Sequence, residues 1–287
     1  MEELYNQYKA LLFTLAYQLT GSVADTEDAL QDVFFKAYDV NVEHLKEPKA
    51  YLCKMVTNRC LNLQKLARKQ KEVYVGPWLP EPFQTAGAET IEVTVARRDL
   101  LSYGMLVLLE RLTPTERGVF VLREALRFNY LEIAELLDKK EANCRKLMSR
   151  ARKKMEITED EIVGNKAIEL EWLNRFLTSL EQGNVDYLLS LLNENVTLVT
   201  DGGGKVNAFK HPIQKRERVA RFLASALEGL SDYYQEGIYI ELAHINGEKG
   251  IVLRAGSDTV AALFIQQQHG NFSRIYVVRN PDKLTRV

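Results

Sequence analysis

Residues 139–154 carry Lys and Arg at high density and almost no acid. Such a run can neutralise phosphates. Arg, Lys, Asn and Ser on one helix can also read base edges in a major groove. Asn143, Arg145, Lys146, Ser149 and Arg150 are the candidate contacts, while Arg152, Lys153 and Lys154 suit phosphates or packing. A second group is acidic: Asp25, Glu27, Asp28 and Asp32. A third, Asp201-Gly202-Gly203-Gly204-Lys205, sets a carboxylate and an ammonium around a glycine run, without the spaced Gly-Lys-Ser/Thr of a phosphate-binding loop. Cys53 and Cys60 are seven apart and share a helix face, which reads as buried packing. Zinc would need more ligands at tighter spacing, so neither a metal site nor a cofactor is expected.

These groups need elements to hold them. Thr113 suits an N-cap, Pro114 the first helical position and Glu116 the far corner of a capping box. Tyr130–Leu137 is a short helix, a turn follows at 138–141, and the cationic helix comes next. That is a helix-turn-helix. A cationic helix alone is most often a solvated face; the preceding helix and tight turn favour DNA. Residues 4–70 read as helices broken at Gly21-Ser22 and reopened at Pro48, with a basic end that includes Lys65 and Arg68. Three prolines, Pro77, Pro80 and Pro82, make 72–92 a linker. Its Trp78, Leu79 and Phe83 predict that it lies on a protein surface.

From about residue 165 the pattern changes again. Helices are predicted at Ala167–Leu180, Val185–Leu192 and Lys215–Glu228. Strands are predicted at Val196–Thr200, Ile238–His244, Gly250–Ala255, Thr259–Gln267 and Phe272–Arg279, with Asn246-Gly247 as a hairpin turn. Helices followed by an antiparallel meander indicate an α+β domain.

The chain has 287 residues and a formal charge of −1, which hides the segregation of its charges. No apolar run is long enough for a bilayer, and the acidic N-terminus lacks the pattern of a signal peptide. A cytoplasmic protein without a membrane partner is expected.

The basic helix-turn-helix resembles region 4 of bacterial extracytoplasmic-function (ECF) σ factors. Residues 23–38 resemble region 2.2 of that family, an acidic helix that docks on the β′ clamp helices of RNA polymerase. The match implies Asp28, Gln31, Asp32 and Phe35 as polymerase contacts. Pro48–Asn62 resembles regions 2.3 to 2.4, which open the −10 element. By that resemblance Tyr51, Asn58, Asn62, Lys65 and Arg68 face the −10 DNA. Many relatives have Trp and Asp where this chain has Tyr51 and Asn62. Trp78-Leu79-Pro80-Glu81-Pro82, Asp201–Lys205 and Asn280-Pro281-Asp282-Lys283-Leu284 resemble the signatures of the ECF41 group, whose members carry a fused SnoaL-like domain of NTF2-like α+β fold.

The implied organisation is multidomain, with two all-α σ domains before the α+β domain. Residues 1–70 are region 2, 71–94 the linker, 95–155 region 4 for the −35 element, and 165–287 the regulatory domain. Trp78, Leu79, Pro80, Asp201–Lys205, Asn280, Pro281 and Asp282 are its implied regulatory residues. The implied partners are promoter DNA and core polymerase, through the β′ clamp helices and the β flap. A small-molecule ligand in the C-terminal domain is a further candidate partner. In the ECF41 group the extension stands in for an anti-σ factor, restraining and supporting activity by contact with the σ domains. No enzyme activity is expected. Two rivals stay open: a one-component helix-turn-helix regulator with a sensing domain, and a SnoaL-type enzyme using Asp201 and His211.

Overall fold

The computed structural model describes residues 2–40, 47–84, 102–155, 170–234, 237–268 and 270–287. The sequence expectations for 85–101 and for Ala167 to Glu169 lie outside the described residues. The chain divides into two compact units. One is Met1–Val73 with Ala88–Val163, and the other is Tyr74–Gly87 with Gly164–Val287.

The first unit begins with α1 (Glu2–Thr20), α2 (Val23–Val40) and α3 (Pro48–Glu72). They pack through Leu12, Leu15, Leu19, Val33, Leu52, Val56 and Cys60, all buried at helical spacing. Gly21 turns between α1 and α2 with φ of 72°. Ser22 then caps α2 by accepting from the Asp25 amide at 3.2 Å. Four shorter helices follow: α4 (Tyr103–Leu109), α5 (Pro114–Glu124), α6 (Tyr130–Leu136) and α7 (Glu141–Met155). The capping box at Thr113 and Glu116 is formed, with the Thr113 amide donating to Glu116 at 2.9 Å. A second box, Asn129 with Glu132, starts α6.

The second unit holds α8 (Leu170–Glu181), α9 (Val185–Leu191), β1 (Leu192–Asp201), β2 (Ile213–Gln214), α10 (Arg216–Tyr233), β3 (Tyr239–Ile245), β4 (Glu248–Ala255), β5 (Asp258–Gln268) and β6 (Asn271–Val278). A short 3₁₀ turn spans Pro281–Lys283. The sheet order is β2-β1-β6-β5-β4-β3. Phe176, Leu188 and Leu223 of the helices share one core with Leu198, Leu263 and Ile275 of the sheet. This is an α+β arrangement, with helices packed on one six-stranded sheet.

The antiparallel meander is correct for β3 to β6, and Asn246 and Gly247 turn its first hairpin with φ of 57° and 76°. It is incomplete for β1, which pairs parallel to β6. The intervening chain, with α10 and four strands, gives the room a parallel return needs. Two-residue β2 was invisible because so short a strand carries no periodicity. Helix α10 runs past the expected end at Glu228. Gly229 sits inside it at negative φ, and a side chain there would meet nothing within 4 Å.

Candidate functional site

Helix α7 has two faces. Cys144, Met148, Ala151 and Met155 are buried at spacings of four, three and four, which fixes the helix on α5 and α6. Asn143, Arg145, Lys146, Ser149 and Arg150 are exposed on the remaining surface. Arg145 is already engaged: it donates to Glu141 at 2.6 Å and lies over the Tyr130 ring at 4.5 Å. It therefore also ties α6 to α7. Two of the basic residues set aside as packing groups are paired, Arg152 with Glu124 at 3.0 Å and Lys154 with Glu116 at 2.6 Å.

On α3, Asn58, Asn62, Lys65 and Arg68 are exposed and Tyr51 is half-buried. Tyr51, Asn58, Asn62 and Lys65 follow steps of seven, four and three, so they form one stripe. On α2, Asp28, Gln31 and Phe35 are exposed, and Asp32 pairs with Arg59 at 2.8 Å. Phe35 is 75% exposed, and Tyr38, one turn on, is 72% exposed. Large apolar surfaces left in water on a helix face suit a partner. Tyr38 was missed, although its i, i+3 spacing from Phe35 was there to read.

The helices α1 to α3 and α4 to α7 touch within the first unit through a buried clasp. The guanidinium of Arg117 on α5 is 2% exposed. Its Nε donates to the Gln18 carbonyl at 2.6 Å, and its Nη1 to Glu110 at 2.6 Å. Lys71 on α3 pairs with the same Glu110. The last carbonyls of α1 have no helical partner, so Arg117 caps that helix from α5; the side chain of Gln64 caps the neighbouring Leu19 carbonyl.

Burial pushes the Glu110 carboxyl up, but the charges of Arg117 and Lys71 outweigh it and hold the group below its ordinary 4.5. Glu116 is likewise held low: burial raises it, but hydrogen bonds from Lys154 and Thr113 prevail. A depressed carboxyl stabilises the fold above its unfolded value and loses that contribution as pH falls through the folded one. The melting temperature of this unit should therefore fall as pH drops below about 4.5, and Glu110→Gln should flatten that dependence in a thermal melt series.

In the second unit three distant motifs converge on Asp201, which is fully buried. Its carboxylate accepts from the Leu79 amide at 2.9 Å, the Tyr74 hydroxyl at 2.5 Å, the Gly203 amide at 3.0 Å and the Lys283 ammonium at 2.7 Å. Lys283 also donates to the Leu79 carbonyl at 2.6 Å and lies 3.4 Å from the centre of the Trp78 ring. Asn280 donates to the Tyr74 hydroxyl at 2.9 Å. Gly203 has φ of 62°, and a Cβ there would sit 2.4 Å from the Asn280 amide nitrogen. Lys205 pairs with Asp282 at 2.5 Å.

Residues 74–84 are thus a strap on the C-terminal unit, with Leu79, Pro80, Glu81 and Pro82 buried. The strap ends where Asn246 and the Phe83 carbonyl hydrogen-bond at 3.0 Å. Burial first, then the hydrogen bond to Asp201, raises the Tyr74 hydroxyl well above its ordinary range and keeps it a donor.

The carboxylate of Asp201 is consumed inside its own unit. The structure does not bring together the Asp201 and His211 of the rival enzyme reading: Asp201 faces the strap, and His211 is exposed on the loop before β2. Tyr74 and Lys283, which both bond to Asp201, were not among the candidate residues. Lys283 lay within the Asn280–Leu284 motif, but a lysine between a turn and the C-terminus reads as solvated.

Comparison with known proteins accords with this layout. The Sigma-70 region 2 family matches residues 4–72, and the Sigma-70 region 4 family matches residues 105–155. The ECF RNA polymerase sigma factor SigJ of Mycobacterium tuberculosis is 31% identical over 98% of this chain and 93% of its own length. The crystal structure of SigJ superposes with a TM-score of 0.76 at 28% identity, covering 99% of this chain and 98% of that one. A probable ECF sigma factor of the same organism, SigI, is 27% identical over 67% of each chain. With two σ regions in order and a relative matched along nearly its whole length, the chain belongs to the ECF RNA polymerase sigma factors.

Proposed function

We propose that this chain directs core RNA polymerase to promoters and that its C-terminal domain sets that activity in cis. Residues 1–70 take the polymerase and the −10 element. Residues 71–94 link them to residues 95–155, which take the −35 element, and residues 165–287 regulate. The exposed stripes of α2, α3 and α7 support the three contact surfaces: Asp28, Gln31, Asp32 and Phe35 for the β′ clamp helices; Tyr51, Asn58, Asn62, Lys65 and Arg68 for the −10 DNA; and Asn143, Arg145, Lys146, Ser149 and Arg150 for the −35 DNA.

One observation carries the regulatory reading. The chain that joins the two DNA-reading regions is bolted to the C-terminal domain by a buried ion pair, Asp201 with Lys283. Docking of the strap turns flexible tether into a fixed path and so limits how region 4 can move away from region 2. The Arg117–Glu110–Lys71 clasp acts in the same sense. Polymerase, which must engage both regions, then has to release one or both.

Run-off transcription with core polymerase tests the proposal. The full chain and a series of C-terminal truncations should give promoter-dependent transcripts at different levels. The complete lack of such transcripts on cognate promoters would sink the σ reading. Gly203→Ala, which drives a methyl into Asn280, should change output without unfolding either σ region; unchanged output would leave the glycine loop a plain turn. For the −35 contact, Arg150→Ala should cost roughly 1 to 3 kcal/mol in footprinting. It is a cleaner test than Arg145, whose loss would also loosen α6 from α7.

A further inference from the structure

Between α10 and the sheet lies a cavity of about 500 Å³, within the range that takes a small organic molecule. Its walls are apolar, with Phe222, Leu227, Leu253 and Leu263 contributing from both layers. Its charged groups are both cations, Lys205 and Arg279, and among the described residues no carboxylate or imidazole lines it. Ser225, Tyr233 and Tyr234 add hydroxyls to this lining.

The two cations are not equivalent. Lys205 is matched by Asp282 at 2.7 and 2.5 Å. Arg279 has a neutral partner, the Asn207 carbonyl at 2.7 Å. Its Nε is buried and finds no hydrogen-bond partner among the described residues. A guanidinium that lines an apolar chamber, with a backbone carbonyl and no carboxylate as its partner among the described residues, is matched by a carboxylate on an apolar body.

The cavity also touches the lock. Gly204, Lys205, Val206 and Asn207 form part of its wall. They continue the loop whose Gly203 amide donates to Asp201. Gly204 abuts the strap so closely that a Cβ there would lie 3.1 Å from Val75. The Arg279 amide donates to the Asp201 carbonyl at 2.7 Å. The group that would receive a ligand head is therefore one hydrogen bond from the residue that holds the strap.

We propose that this cavity binds a small apolar monocarboxylate through Arg279, and that occupancy is transmitted to the strap through the loop 202–207. The transmission step rests on the reading that residues 165–287 act in cis; the binding step does not.

Calorimetry on the full chain tests binding, with decanoate and naphthalene-2-carboxylate as probes and the matching alcohols, decanol and 2-naphthalenemethanol, as neutral controls. At least one acid should bind ten or more times tighter than its alcohol. Arg279→Gln should remove that preference. Gly229→Phe should block both members of the pair, and it keeps the fold testable because a side chain at 229 meets nothing within 4 Å of its Cβ. Saturation by neither acid, equal binding of acid and alcohol, or unchanged acid binding in Arg279→Gln would overturn the site.

For transmission, Trp172→Phe leaves Trp78 as the single indole, since the chain has two. Saturating acid should shift its emission, and binding without any shift would overturn the coupling. If acid binds and shifts Trp78 while Asp201→Asn transcribes as wild type, the cis-regulatory reading fails and the cavity stands.

Discussion

Lys283→Met should free the strap. Lys283 is 7% exposed and Asp201 0% at the side chain, so their ion pair is desolvated on both sides. Removing the cation leaves a buried carboxylate with three donors, the Leu79 and Gly203 amides and the Tyr74 hydroxyl. Breaking a buried pair from one side costs about 3–5 kcal/mol, and the three remaining donors place this case near the lower end. At about 1.4 kcal/mol per decade, strap opening should become roughly a hundred times more frequent. Chymotrypsin reads this directly, because Tyr74, Trp78 and Phe83 are its aromatic sites within the strap. Cleavage after any of them should accelerate while the core around Phe176 and Phe272 still melts cooperatively. The double variant Asp201→Asn with Lys283→Met should be less damaging than Lys283→Met alone, since the amide oxygen still accepts from Leu79 and no charge is stranded. Cleavage as slow as wild type in Lys283→Met would show that the apolar contacts of the strap hold it unaided.

The same two residues mark how far the sequence could be read. Local signals were strong where one segment contains the whole reason for its structure. Thr113, Pro114 and Glu116 specify a helix start among themselves, and Asn246-Gly247 specifies a hairpin. The buried and exposed faces of α7 follow from its own periodicity. The apolar content of Trp78 and Leu79 also showed that the linker must be covered. What could not be read was the cover. Asp201 bonds to residues more than a hundred positions earlier and to one 82 positions later. A glycine-rich run next to an acid looks like a surface turn until those partners are known. The motifs singled out Asp201 through family resemblance; only the fold shows that its bonds are internal.

Arg117 was unreadable for the same reason, and it carries the second large effect. In sequence it is one more helical cation after a capping box; in the fold it is among the most buried side chains of the first unit. Arg117→Ala should remove the cap from the Gln18 carbonyl and leave Glu110, itself enclosed, with Lys71 as its remaining cation. A cost of about 3 kcal/mol to the contact between regions 2 and 4 is expected. Lys71→Met attacks the clasp from the region 2 side without touching any residue of region 4, so it separates opening from damage to the helix-turn-helix. Both variants should raise the radius of gyration in solution scattering, with helical content preserved. Both should also bind core polymerase more tightly, because the work of parting the regions has been done in advance. If either variant opens in scattering yet binds polymerase as wild type does, the clasp stabilises the free protein without gating its use. If neither opens, contacts such as the Lys54 ammonium on Asp138 and on the Glu135 carbonyl suffice to keep the regions together.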